Sequence, residues 1–232
     1  MRNLMKLEMK KYKIGGYIRG AVIASAIILL FMLFVSFVQK VEEGIPAFTN
    51  LLEAFDFSVT IVRSTFIVFA AVLLSRFVIE EFRSKSITVL FMYPISRKRL
   101  IAAKLAIVVI FTFCAIILST LFVASGYYLL NRWLDLVPGG LPVSALASQG
   151  LKAFINAIAA SGMGLIPLFF GMRKHSVAAT IVSSILMIAI VSSNTNGFSL
   201  GSIIFIPLAL AVIGGLIAYF TIRNIEHVDV TT

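Results

Sequence analysis

Few side chains in this 232-residue chain could do chemistry, and they lie among long apolar runs. Glu80 and Glu81 are adjacent carboxylates, followed by Arg83 and Lys85. Neighbours at i and i+1 point to different sides of a helix, so they are not a ready acid/base pair. His175 stands in a short basic loop and His227 in the C-terminal tail. The sole cysteine, Cys114, falls inside an apolar run, so cysteine can build neither a disulfide nor a zinc site. No Gly-x-x-x-x-Gly-Lys-Ser/Thr sequence occurs, so the chain offers no phosphate cradle for ATP. Arg63 is the remaining anomaly, a guanidinium set within an apolar stretch. The expectation is a chain with no catalytic residue, no metal ligand set and no cofactor of its own.

The elements that hold these residues follow from hydropathy. Six apolar stretches stand out, at 20–38, 57–79, 105–130, 153–170, 177–193 and 203–220. A bilayer core of about 30 Å needs about 20 helical residues, and backbone polar groups cannot stay unpaired in lipid. The expected fold class is therefore an all-α membrane protein with six transmembrane helices, forming a single transmembrane domain over 1–232. Loops between the stretches are short, which leaves no separate soluble domain. The first stretch is long and no A-x-A-like site follows it, so it reads as a span and not as a cleaved leader.

Charge sets the orientation. Sixteen of the twenty Lys and Arg residues fall before the first stretch, between the second and third (with Arg76 at the end of the second), between the fourth and fifth, and after the sixth. With five acids on that side it carries +11, against −1 on the other. The positive-inside rule then puts both termini in the cytoplasm. A net charge of +10 in a soluble protein would suggest nucleic acid. Here the basic residues flank apolar spans, where topology and anionic membrane lipid account for them, and no nucleic-acid partner is expected.

Within the spans, only twelve uncharged residues separate Arg63 from Arg76. That is about 18 Å of helix, too short for a bilayer, so the second span must include an arginine. Arg76 can snorkel at the cytoplasmic end. Arg63 either snorkels outward or pairs with Asp56 or Glu53, or it faces a polar cavity and touches substrate or a partner helix. In the fourth span Ala153, Ala157 and Ser161 repeat at four-residue spacing, with Ala160 and Gly164 as a second pair. Such spacing allows close helix packing in lipid. Gly162, Gly164 and Pro167 also weaken that helix, which leaves a hinge as the other reading. Pro207 and Gly214–Gly215 raise the same choice in the sixth span. Residues 192–197 form an uncharged, turn-forming stretch.

Two segments on the basic side carry the rest. Residues 1–19 can form an amphipathic helix along the membrane surface, with Met5, Met9 and Tyr12 on one face and Lys6, Lys10 and Lys13 one step round. Residues 80–99 contain Ile87, Leu90 and Phe91 at i, i+3 and i+4, bounded by Pro94, with Ser96 placed as an N-cap before Arg97. A short charged helix of this kind can dock a soluble partner, or the segment can be a solvated loop whose charges set topology.

The order of basic tail, six spans and Glu…Ser-Ile-Thr-x-Leu-(x)3-Pro-Ile-Ser-Arg-(x)6-Lys after the second span resembles the permease subunits of type 2 ABC exporters. The family stretch Glu-Arg-x-x-Gly-Thr-x-x-x-Leu…Pro-x-Ser-Arg…Lys matches Glu80 or Glu81, Arg83, Thr88, Leu90, Pro94, Ser96, Arg97 and Lys104. Ile87 stands where the family has glycine. The resemblance implies a coupling helix over 80–99 that docks on a separate ATPase and an N-terminal interfacial helix that helps hold it. It implies ATP and Mg in that ATPase, two ATPase copies, and a second permease chain, identical or homologous. It further implies a bacterial plasma membrane, and its small size resembles permeases that export peptide antibiotics such as bacitracin and lantibiotics. An energy-independent carrier or channel is the alternative. An intramembrane enzyme is a third reading, since Glu-Glu-x-x-x-Arg occurs in prenyl-protein-processing proteases. Here Lys85 holds the arginine position, and the later spans lack the histidines that family needs.

Overall fold

The computed structural model describes residues 2–42, 46–84, 96–138, 143–192, 194–195, 198–199 and 205–224. Among them the chain is helical apart from one small ladder. Helix α1 is Arg2–Lys11, α2 Gly15–Glu42 and α3 Leu51–Leu74; a π-helical turn at Ser75–Ile79 and α4, Glu80–Arg83, continue α3. Then come α5 Arg97–Leu134, α6 Val143–Met163, α7 Pro167–Lys174, α8 Val177–Ser192 and α9 Phe205–Asn224. Between α8 and α9, β1 (Asn194–Thr195) and β2 (Phe198–Ser199) pair antiparallel, with Asn194 opposite Ser199. That ladder lies in the stretch whose composition marks a turn.

Among the described residues five helices are long and apolar enough to cross a membrane: Gly15–Glu42, Leu51–Arg83, Lys98–Leu134, Ala147–Lys174 and Phe205–Arg223. This is consistent with a multi-pass membrane protein. The expected fifth span, α8, has only 16 residues, about 24 Å of helix. It is apolar but shorter than a bilayer core. Each of the other helices runs several residues beyond its apolar stretch, because charged and polar residues add turns without breaking the backbone ladder.

Helix ends have identifiable causes. Helix α1 stops where Lys13 adopts φ 47° and the Lys13 and Ile14 amides bond back to the Lys10 and Met9 carbonyls. The surface helix expected over 1–19 is therefore divided, and Gly15 begins the next helix. At the start of α3, Asn50 Oδ1 accepts the Glu53 amide at 2.9 Å, while the Glu53 carboxylate accepts the Thr49 amide and hydroxyl. Helices α6 and α7 are separated at Gly164–Ile166. There the Leu165, Ile166, Leu168 and Phe169 amides bond three residues back, at 3.0 to 3.1 Å. Pro167 has no amide to continue the wider ladder, so the turn tightens.

The chain forms two compact units, one of Met1–Ile14, Phe66–Phe113 and Ile158–Thr232, the other of Gly15–Thr65 and Cys114–Ala157. In the second unit α2 and α5 are joined by hydroxyls: Ser25 to Ser119 at 2.6 Å and Ser36 to Tyr127 at 2.8 Å. Each serine also donates or shares within its own helix turn, Ser25 to the Ala21 carbonyl and Ser36 to that of Met32. Buried hydroxyls are thus satisfied without water. In the first unit the packing of α6 on α9 is backbone on backbone. A Cβ at Gly214 would lie 2.1 Å from the Gly162 carbonyl oxygen, and a Cβ at Gly162 would lie 2.7 Å from the Ala211 Cβ and 2.9 Å from its Cα. Small residues permit that approach where side chains could not.

Gly214→Ala is expected to lower the thermal unfolding midpoint of the detergent-purified chain, at a cost of about 1–3 kcal/mol. Gly215→Ala, which meets nothing within 4 Å, is expected to leave the midpoint unchanged. Equal behaviour of the two variants would dismiss the contact.

Candidate functional site

The first unit contains a cluster of four charges, of which Glu8, Glu81 and Lys104 are buried and Lys11 closes the exposed edge. Lys104, in the second turn of α5, is fully buried, although its sequence position suggests a membrane-surface residue. Its ammonium donates to Glu81 Oε2 at 2.5 Å, to the Phe77 carbonyl at 2.9 Å and to the Tyr12 hydroxyl at 3.2 Å. The other Glu81 oxygen accepts from Lys11 at 2.6 Å and from the Tyr12 hydroxyl. Glu8 Oε2 lies 3.3 Å from the Lys104 ammonium, yet has no hydrogen bond. The reason is stoichiometric. An ammonium has three protons, and Glu81, Phe77 and Tyr12 take all three. Glu8 therefore contributes charge without a proton to receive. Two ammoniums and two carboxylates leave the cluster neutral, which is what burial of charge requires.

Three elements build this arrangement. From α1 come Glu8 and Lys11, with Tyr12 just beyond its end, and the Tyr12 ring stacks on Phe77 at 4.2 Å between centroids. The face of α1 that turns inward thus bears Glu8, not the expected Met9, which is exposed as is Leu7. Lys6, Lys10 and Lys13 are exposed, in keeping with their place on the outer face. From the π turn comes the Phe77 carbonyl. A π turn displaces carbonyls from the regular α ladder, and an inserted side-chain donor is a recognised cause of such a break. Lys104 supplies that donor. The turn is framed on its other side by the α7–α8 hairpin: a Cβ at Gly171 would lie 2.2 Å from Thr180 Oγ1 and 2.9 Å from Ile79 Cδ1. His175, with φ 45°, caps α7, and its ring lies 6.1 Å from that of Phe82.

The residues expected to couple to an ATPase are thereby separated. Glu81 is buried and so is not part of an exposed docking face, because Lys104, Lys11 and Tyr12 hold it inward. Glu80 is half exposed and faces Arg76 at 3.3 Å, one turn back along the helix. Arg83 and Ser96 are exposed. Helix α5 begins at Arg97, and the Ser96 carbonyl accepts the Leu100 amide at 3.2 Å, as an N-cap residue's does. Thr88, Leu90 and Pro94 lie outside the described residues, as does His227.

In the second unit Arg63 is buried, and its Nη1 donates to Asn156 Oδ1 at 3.4 Å. Glu53, one of the acids expected beside it, instead caps α3 through Thr49. Asn156 was not legible as its partner, since a lone amide in an apolar helix carries no periodic signal. Of the residues expected to pack helices, Ala157 in this unit is fully buried and Ala153 half-buried. In the first unit Ser161 is buried, and a Cβ at Gly164 would meet Ala70 at 2.9 Å.

No protein-family model and no solved structure matches the chain. It is 44% identical over 227 residues to the uncharacterized protein YcbO of Bacillus subtilis (strain 168), covering 98% of this chain and 99% of that protein. The chain belongs to the YcbO family. The YcbO alignment covers nearly the whole length, so both units and the buried cluster fall within the shared region to that extent.

Lys104→Met is expected to destabilise the chain by about 3–5 kcal/mol, because it leaves two buried carboxylates facing no ammonium from α5. Lys104→Met combined with Glu81→Leu is expected to recover part of that loss. Thermal unfolding in detergent measures both, and no recovery in the double variant would mean that the pair is not the coupled unit described.

Proposed function

We propose that this chain is the permease subunit of an ATP-driven exporter. It forms half of a translocation pathway with a second permease chain and works with two copies of a separate ATPase that bind ATP and Mg. On this reading both termini are cytoplasmic, α8 completes a set of six spans in a bacterial plasma membrane, and the cargo is an amphipathic or antimicrobial peptide. Short helices can be accommodated by local bilayer thinning and by snorkelling of flanking residues, here Arg173 and Lys174.

One observation supports the reading above the others. The buried cluster ties the N-terminal helix to the root of the segment 80–99 and to the first turns of α5. A segment that receives force from a soluble partner has to be anchored at its base, and a neutral, largely buried cluster is a stiff anchor. The chain resembles the exporter permeases in this same stretch of sequence. Arg63 suits the role of a pathway or partner-helix residue, since a buried guanidinium in an apolar segment is costly to keep. The cycle proposed is alternating opening of a cavity between two permeases, which requires the ATPase to bind the two states of the segment 80–99 with different affinity.

Co-expression with an ABC ATPase from the same genome is expected to give a complex that co-elutes in detergent with ATP hydrolysis. A chain that purifies alone would remove the exporter reading and favour the energy-independent carrier. Pro94→Ala with Arg97→Ala is expected to uncouple hydrolysis from transport in vesicles while membrane insertion persists. Full transport by that variant would show that the segment is not the coupling element.

A further inference from the structure

The adjacent acids Glu80 and Glu81 are used unequally. Glu81 is buried against Lys104, whereas Glu80 faces outward to Arg76, with 49% of its side chain exposed. Immediately before them sits the π turn Ser75–Ile79, with the Glu80 amide bonded to the Ser75 carbonyl, five residues back. A single π turn holds one residue more than a regular α-helix needs over the same path. That spare residue decides which acid meets Lys104.

We propose that α3 and α4 form a two-register device, in which migration of the spare residue past Arg83 exchanges Glu80 for Glu81 at the Lys104 ammonium. Such a migration turns the intervening residues by about 100° and advances them by about 1.5 Å, so each takes its successor's place. Four of the replacements have a chemically suitable site, whereas Phe77 enters the smaller buried site of Val78. Glu80 takes the position of Glu81 and restores the carboxylate beside Lys104, Lys11 and Tyr12. Glu81 takes the position of Phe82, whose ring lies 6.1 Å from the His175 imidazole, so an acid arrives beside a group able to donate to it. Arg76 takes the position of Phe77, stacked on Tyr12 at 4.2 Å, where a guanidinium can sit on the aromatic face. Val78 takes the position of Ile79, one β-branched chain for another. Ile79 and Phe82 move to the outward positions of Glu80 and Arg83, which is the cost of the second register. Packed elements commonly move by discrete steps of this kind, not by continuous deformation.

In a chain with one register the second acid serves only its surface pair with Arg76, and this gives a test that needs neither ATPase nor cargo. Thermal unfolding midpoints are measured for the purified full-length chain, Glu80→Gln, Glu81→Gln and the double variant. Glu80→Gln is expected to leave the midpoint unchanged. Glu81→Gln is expected to lower it moderately, with the chain still folded, because Glu80 rotates in as the replacement. The double variant, with no carboxylate for Lys104 from this helix, is expected to lose more than about twice the sum of the single losses. Glu81→Gln with Arg76→Ala, which also removes the surface pair with Glu80, is expected to be no worse than additive. A double acid variant no less stable than Glu81→Gln overturns the proposal. So does a Glu81→Gln chain that fails to fold, or an Arg76→Ala combination as damaging as the double acid variant. The existence of two registers is a property of this chain alone; only their use in a transport cycle would rest on the exporter reading.

Discussion

One ammonium organises the first unit. Lys104 sits where an unpaired charge would be untenable, and each of its three protons has a different kind of acceptor: a carboxylate, a backbone carbonyl and a phenol. The carboxylate fixes α4, the carbonyl fixes the π turn, and the phenol fixes the end of α1. Removing any acceptor would free a proton that water cannot reach. The geometry of the end of α1, of the π turn with α4, and of the start of α5 is therefore set together, and none can adjust alone. Burial makes these bonds stronger than at a surface, and makes their loss correspondingly severe.

The second unit solves the same problem with neutral groups. Its α2–α5 contact relies on serine and tyrosine hydroxyls, which satisfy one another and the preceding turns. At the end of α5, Lys40 donates to the Leu134 and Asp135 carbonyls, and the Asn131 side chain both accepts from the Val137 amide and donates to its carbonyl. Free carbonyls at the end of a long helix are thus capped by side chains from elsewhere in the unit. Hydroxyl pairs of this sort are individually modest, in keeping with a region that needs register more than strength.

Much of the helical framework was legible because apolar length and charge placement are local properties. The positions of α2, α3, α5, α6 and α9 follow from runs that any window along the chain detects. The need for an arginine inside the second span followed from simple distance between Arg63 and Arg76. The buried cluster was not legible, since Glu8, Glu81 and Lys104 come from three separate stretches, and a lysine before an apolar run reads as a surface anchor. One signal was present. Glu8 lies next to Tyr12 on the helical wheel, a lone acid at the edge of the face otherwise assigned to apolar contact. The π turn gave no warning, because residues 75–79 contain neither proline nor glycine, and its cause is a donor contributed from α5. The hairpin of α7 and α8 was expected as two spans meeting at a basic loop, and its close seat on Ile79 depends on Gly171, which sequence alone does not distinguish from other glycines.

Helices α1, α5 and α7 each end in a left-handed residue that is not glycine: Lys13, Asp135 and His175, with φ of 47°, 44° and 45°. A side chain in that conformation costs about 1–2 kcal/mol that glycine would not incur. All three are exposed, so their side chains contribute little packing in return. The molecule therefore stands below the stability its own architecture permits. That shortfall lies at three surface positions, and glycine at Lys13 and Asp135 would harden the protein for handling in detergent without altering the cluster's charges, whereas His175 also sets its ring 6.1 Å from that of Phe82.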